Sequence, residues 1–164
     1  MIRALVTLAL IASCASGPKL TPAATSQPVP ELSFPLLGGT TWSSTTARGT
    51  IIVVDIWATY CKPCREAFPR LGRLAKAHPE IAVIGLSVDE EDEVVRRYLS
   101  EVPAAFSIAR DRTLRVQQPP INVSALPTLI VVDKAGRVRF RRDDAKLADY
   151  DALPALIDQL AAER

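Results

Sequence analysis

Cysteine and histidine are scarce in this chain of 164 residues, which has three cysteines and one histidine, His78. A structural zinc site needs four ligands at suitable spacing, and these side chains do not supply them. Charge is nearly balanced as well, at +2 from 20 basic and 18 acidic groups. With no run of Lys and Arg interleaved with aromatics, that balance excludes a nucleic-acid-binding surface. The uncharged stretch at residues 4–18 falls short of the roughly 20 apolar residues that span a bilayer, and it includes Gly17 and Pro18. No internal repeat is present. A hydrophobic content of 48% with 23% charged residues fits one globular domain of ordinary size.

Two of the three cysteines stand together, in Tyr60-Cys61-Lys62-Pro63-Cys64-Arg65, directly after the apolar run Ile51-Ile52-Val53-Val54-Asp55-Ile56-Trp57. This spacing puts a C-x-x-C where a buried strand hands over to a helix. Both sulfurs then lie near a helix N-terminus, whose unpaired N–H groups favour a thiolate. The pattern is that of a redox site.

The segment from Val54 to Arg65 resembles the active-site segment of the thioredoxin superfamily. Downstream, Ser124-Ala125-Leu126-Pro127-Thr128 and the residues to Val138 resemble the stretch in which that family places a cis-proline beside its cysteines. Residues 81–89, followed by an acidic helix, resemble the TlpA/ResA-like branch, the membrane-anchored thiol-disulfide oxidoreductases of the bacterial cell envelope. The resemblance implies an α/β domain of thioredoxin-like fold, with a central mixed β-sheet flanked by helices. It implies Cys61 as nucleophile, Cys64 as resolving thiol, and Pro127 as a cis residue that leaves backbone open to an incoming peptide. Asp55 lies six residues before Cys61, as does the acid that relays a proton to the second cysteine of thioredoxin. A carboxylate is otherwise out of place in an apolar strand, unless it reaches water at the strand end. Trp57 is expected to pack beneath the active-site loop, and Pro63 to fit the first helical turn, where a missing N–H costs little. Lys62 either favours the thiolate or is a solvated loop residue. Glu66 stands two after Cys64, whereas the cytochrome c biogenesis members of the branch often carry an acid three after it, here Ala67.

Arg3, the uncharged residues 4–12 and Ser13-Cys14 form the n-region, h-region and cleavage site of an export signal. Ile11-Ala12-Ser13-Cys14 resembles the bacterial lipobox, in which the cysteine becomes the lipidated first residue. Residues 1–13 are therefore expected to be a lipoprotein signal peptide, residues 14–30 a lipidated Cys14 followed by a Pro-rich tether, and residues 31–164 the thioredoxin-like domain. Export suits a redox-active pair, since disulfides persist outside the cytoplasm.

Within the domain, residues 31–44 read as a hairpin turned at Gly38-Gly39, residues 50–57 and 81–88 as buried strands, and residues 62–77 as a helix containing Pro69. Residues 89–100 read as a helix with Val94, Val95, Tyr98 and Leu99 on its core face. A short strand near residues 105–108 and a helical turn from Asp111 come next. Residues 128–132 and 137–142 form a hairpin that places Arg137, Arg139 and Arg141 on one solvent face. A last helix begins at Asp151.

The function expected is a lipid-anchored, periplasmic-side thiol-disulfide oxidoreductase, monomeric and without a cofactor beyond the Cys61–Cys64 disulfide. It would reduce exported proteins, apocytochromes c among them, and draw electrons from a thiol-type membrane donor. A thiol oxidase or isomerase is the alternative within the enzyme class, because direction follows from reduction potential. A copper-binding chaperone module is the alternative outside it, although the second motif offers no histidine or methionine.

Overall fold

The computed structural model describes residues 17–163. The expected signal peptide, residues 1–13, and Cys14 lie outside the described residues. A small antiparallel hairpin comes first, β1 (Ser33–Pro35) with β2 (Thr41–Ser43). Its turn passes through Gly39 at φ +95°, a left-handed conformation that glycine adopts without a Cβ clash. β3 (Ile52–Trp57) follows, and all six of its residues are buried. It leads into α1 (Lys62–Ala77), which runs through Pro69. Then come β4 (Ala82–Ser87), α2 (Asp92–Glu101), β5 (Ser107–Arg110) and a short 3-10 turn at Arg115–Gln117. The chain ends with β6 (Thr128–Val132), β7 (Val138–Asp143), α3 (Leu147–Asp151) and α4 (Leu153–Ala162).

The main sheet has the order β5-β4-β3-β6-β7. β3 pairs parallel with β4 and antiparallel with β6, so the sheet is mixed and its central strand is hydrogen-bonded along both edges. Side chains that alternate along β3 divide the core in two. Val53 packs with Leu129 and Val131 against Leu71 of α1, Tyr150 of α3 and Leu153 and Ile157 of α4. Ile52, Val54 and Ile56 face the other way, toward Phe34, Val95 and Tyr98. This is the thioredoxin-like α/β fold.

Several expectations require correction. Residues 14–30 do not all form a tether, because from Thr21 onward the segment lies along β7. Thr21 N donates to Arg139 O at 2.6 Å, Val138 N to Gln27 O at 2.8 Å and Val29 N to Gly136 O at 2.8 Å. Proline and small polar residues suppress periodicity in this stretch, yet its backbone has found donors and acceptors on an edge strand. Nor does Arg139 share a solvent face with Arg137 and Arg141, because the register of β7 against β6 shifts there, with Val131 opposite Phe140 and Val132 opposite Val138, and the covering segment takes up its side chain. It is buried, and donates to Thr21 O at 2.7 Å, to Asp133 Oδ2 at 3.2 Å and to Glu163 Oε1 at 2.7 Å. Val94 is exposed and leaves the core face of α2 to Val95, Tyr98 and the partly buried Leu99. That helix starts at Asp92 rather than at Asp89, whose side chain is engaged elsewhere. The expected last helix is two, joined at Ala152, with Pro154 in the first turn of α4.

Replacing Arg139 removes the partner of Asp133 Oδ2, whose Oδ1 keeps the amides of Ala135 and Arg137, and releases the carbonyl of Thr21. Arg139→Ala is expected to lower stability by about 3 kcal/mol in denaturant unfolding, in the range for breaking a buried pair. The same variant should expose residues 19–30 to limited proteolysis before the domain unfolds; an unaltered cleavage pattern would show that the segment is held by other contacts.

Candidate active site

The apolar run of β3 ends at Trp57, and a turn closed by Cys61 N donating to Ala58 O at 3.1 Å carries the chain into α1. Cys61 is the N-cap, with extended backbone, and its Sγ accepts from Cys64 N at 3.3 Å. A sulfur in that position takes up one of the orphan amides of the first turn, an arrangement that stabilises negative charge on it. Cys61 and Cys64 are joined as a disulfide with their Cα atoms 5.3 Å apart. Cys61 retains 8% exposure and Cys64 none, so an incoming thiolate meets Cys61 first. Lys62 and Pro63 are exposed in the first turn, and Tyr60 beside them is 77% exposed.

Beneath the turn, Trp57 is fully buried, with its ring 4.7 Å from Phe68 and 5.1 Å from Tyr98. Gly85 makes room for it. A Cβ there would lie 2.8 Å from Phe106 and 3.1 Å from Trp57 Nε1, so no larger residue fits without moving aromatic rings.

A buried polar network, which the sequence did not reveal, fixes the turn from the other side. Thr59 donates to Asp89 through its amide at 3.1 Å and through its hydroxyl at 2.7 Å. Ser87 Oγ donates to Asp89 Oδ2 at 2.8 Å, while Arg110 donates to Ser87 Oγ at 2.6 Å, to Asp89 O at 2.9 Å and to Asp92 Oδ1 at 2.9 Å. Asp89 reads as a helix-start acid in sequence, and only the parallel register of β3, β4 and β5 brings it under Thr59 and beside Arg110.

Asp55 is completely buried. Its Oδ1 accepts the hydroxyl of Tyr150 at 2.6 Å, and its Oδ2 has no hydrogen-bond partner among the described residues. Burial raises its carboxyl from the ordinary 3.8 to about 7, against the lowering effect of the Tyr150 hydrogen bond. The strand-end reading, in which this aspartate reaches water, therefore fails. Tyr150 is the second group missed in sequence, since 95 residues separate it from Asp55.

Pro127 is buried, and its bond to Leu126 is cis. It immediately precedes β6, whose Thr128 pairs with Ile56, so the proline sits at the end of the sheet where β3 delivers Cys61. Thr128 Oγ1 donates to Ala125 O at 2.7 Å, and Ala145 N donates to Pro127 O at 2.9 Å. Glu66 faces solvent and Ala67 is buried in the core.

The geometry has its counterpart in known proteins, and a family model described as thioredoxin-like matches residues 49–138, more than half of the chain. The chain belongs to the thioredoxin-like family. It is similar to the thioredoxin-like protein YneN of Bacillus subtilis, at 28% identity over 69% of this chain and 68% of that one. The thiol-disulfide oxidoreductase ResA of Bacillus anthracis is 29% identical over 56% of this chain, which spans about half of that protein, 53%. Among solved structures, a candidate thiol:disulfide interchange protein DsbE from Chlorobium tepidum superposes with a TM-score of 0.76 at 24% identity, covering 82% of this chain and 96% of that one. The fold is thus shared, and the arrangement of this thioredoxin-like site is that of a thiol-disulfide oxidoreductase: a two-electron couple in which one sulfur is reachable and the other sealed.

The raised carboxyl of Asp55 links stability to pH. Between about 3.8 and about 7 the folded chain holds a proton that the unfolded chain has released. The stability associated with this group is therefore full at low pH and is lost as pH rises through about 7. Asp55→Asn is expected to flatten that slope and to make the oxidised protein more stable than wild type at about pH 8, by on the order of 3 kcal/mol. Parallel pH profiles of the two proteins in thermal or denaturant unfolding would disprove the shift.

Proposed function

We propose that the protein is a thiol-disulfide oxidoreductase of the cell envelope that reduces disulfides in exported proteins, held at a membrane by lipid on Cys14. The observation that carries the chemistry is the Cys61–Cys64 pair at the start of α1, with Cys61 reachable, Cys64 sealed and the buried Asp55 in the adjoining strand. The leader and lipobox pattern of residues 1–14 supports export and anchoring.

In the reduced enzyme the Cys61 thiolate attacks a client disulfide; a Cys61–client S–S bond forms, the client bond breaks, and the departing client thiolate takes a proton from water. Cys64 then gives its proton to the Asp55 carboxylate and, as thiolate, attacks Cys61 Sγ. The mixed disulfide breaks, Cys61–Cys64 closes, and the second client thiolate leaves. The client gains two electrons and the pair loses two. A dithiol donor at the membrane returns the pair to thiols, with Asp55 handing a proton back to Cys64. The backbone beside Pro127 receives the extended client. The electrons reside on the two sulfurs alone, with no added cofactor, and the enzyme works as a monomer.

Cys64→Ser tests the reading, because it leaves Cys61 able to attack and unable to be resolved. Covalent adducts with exported proteins that carry paired cysteines are the expected outcome, with the wild-type pair found mostly as thiols in cells. A pair found mostly as disulfide would make the enzyme an oxidase or isomerase. No adducts, together with tight Cu(I) binding through Cys61 and Cys64, would make it a metal carrier. Cys14→Ser should in addition release the protein from membranes or block its processing; wild-type protein recovered cleaved and soluble would end the lipid-anchor reading.

A further inference from the structure

Tyr150 stands outside every motif that marks the site, yet its hydroxyl is the sole hydrogen-bond partner of the Asp55 side chain among the described residues. Phenylalanine would fill the same volume, so packing alone does not call for the hydroxyl. The side chain comes from α3, a helix of five residues pinned at several points. Lys146 N donates to Asp149 Oδ2 at 2.8 Å, and Arg142 lies 3.5 Å from Asp149 Oδ1. Arg70 of α1 donates to Asp151 Oδ1 at 2.7 Å, and Ala145, just ahead of the helix, donates to the carbonyl of Pro127. The phenol is thereby fixed against both the helix that carries the cysteines and the loop that carries Pro127.

We infer that Tyr150 is a positioning residue for thiol–disulfide exchange: its hydroxyl holds Asp55 by one oxygen and favours the carboxylate, leaving the other oxygen to accept the proton of Cys64. This rests on the relay role given to Asp55 above. The register across the sheet puts Gly85 of β4 and Leu129 of β6 opposite Asp55, neither of which titrates. From α2 the ionisable neighbour is Tyr98, whose phenol is raised by burial first and then by Asp55 and Asp89, against the lowering effect of Arg65; and Asp149 acts on Tyr150 within α3. Burial and the neighbouring carboxylates raise the Tyr150 phenol above its ordinary value, so it remains a donor over the whole working range. A donor that keeps its proton stabilises the carboxylate without competing for the proton being moved.

The step to follow is resolution of a glutathione mixed disulfide on Cys61, read as release of glutathione in stopped flow from about pH 5 to about pH 9. In wild type the rate should rise through a limb set by Asp55, and Asp55→Asn should abolish that limb. Tyr150→Phe should move it up by about one pH unit and slow release several-fold at neutral pH, the size of a lost hydrogen bond to a charged group. Tyr150 replaced by 3-fluorotyrosine, a stronger donor of the same shape, should move the limb down. Opposite displacements are not something a merely structural tyrosine produces, and the fluorinated protein keeps the test alive if Tyr150→Phe fails to fold. A limb abolished by Asp55→Asn but unmoved by changes at Tyr150 would overturn the inference and leave the relay standing. A limb that survives Asp55→Asn would overturn both.

Discussion

β3 is buried on both faces and hydrogen-bonded along both edges, and everything at the site hangs from that confinement. A strand so placed offers no route to water, so each polar group in it must be satisfied by the protein or held at a cost of several kcal/mol. Asp55 is the one charged side chain it contains. The same confinement gives Trp57 a fixed floor, and Trp57 in turn requires that β4 bring a glycine alongside it. Position of the cysteines follows from the strand as well, because the turn after Trp57 makes Cys61 the cap of α1 and buries Cys64 one turn on.

The interior charges differ in how completely they are answered. Arg110 donates to three acceptors, and Asp89 accepts from Thr59 and Ser87. Arg139 lies between Asp133, Glu163 and the carbonyl of Thr21. Each of these groups is a fastening, satisfied because an unpaired buried charge would unfold the region it holds. Asp55 is answered at one oxygen only. A half-satisfied carboxyl, raised to about 7, can change protonation state near neutral pH with little rearrangement around it. That contrast sets Asp55 apart from the charges whose hydrogen bonds fasten the frame.

What was legible in the chain was local. The apolar run, the C-x-x-C that follows it and the two-glycine turn each depend on neighbours in sequence, and the corresponding elements β3, α1 and the β1–β2 hairpin are where the pattern puts them. Asp55 stood out for the same reason, as a polar residue in a hydrophobic strand. Tyr150, Asp89 and Arg110 did not, since their partners lie far along the chain and are brought near only by strand register. Arg139 misled because a period of two holds only along a regular ladder, and the register shift opposite Val131 and Val132 breaks it there, beneath a proline-rich segment that covers the side chain. Val94 fell just off the buried stripe of α2, where an error of one residue turns a side chain by about 100°.

The residues ahead of β3 also close the sheet. Pro28 bridges to Arg137 outside β7, and Leu36 bridges to Ala109 outside β5, so both lateral borders of the five-stranded sheet are occupied by the chain's own backbone. A bare border is a template on which any extended polypeptide can add itself as a further strand, the first step of aggregation. At those bridges the border is already taken by the chain's own backbone. The segment ahead of β3 thus guards part of each flank against promiscuous strand addition, away from the end of the sheet where Cys61 and Pro127 lie.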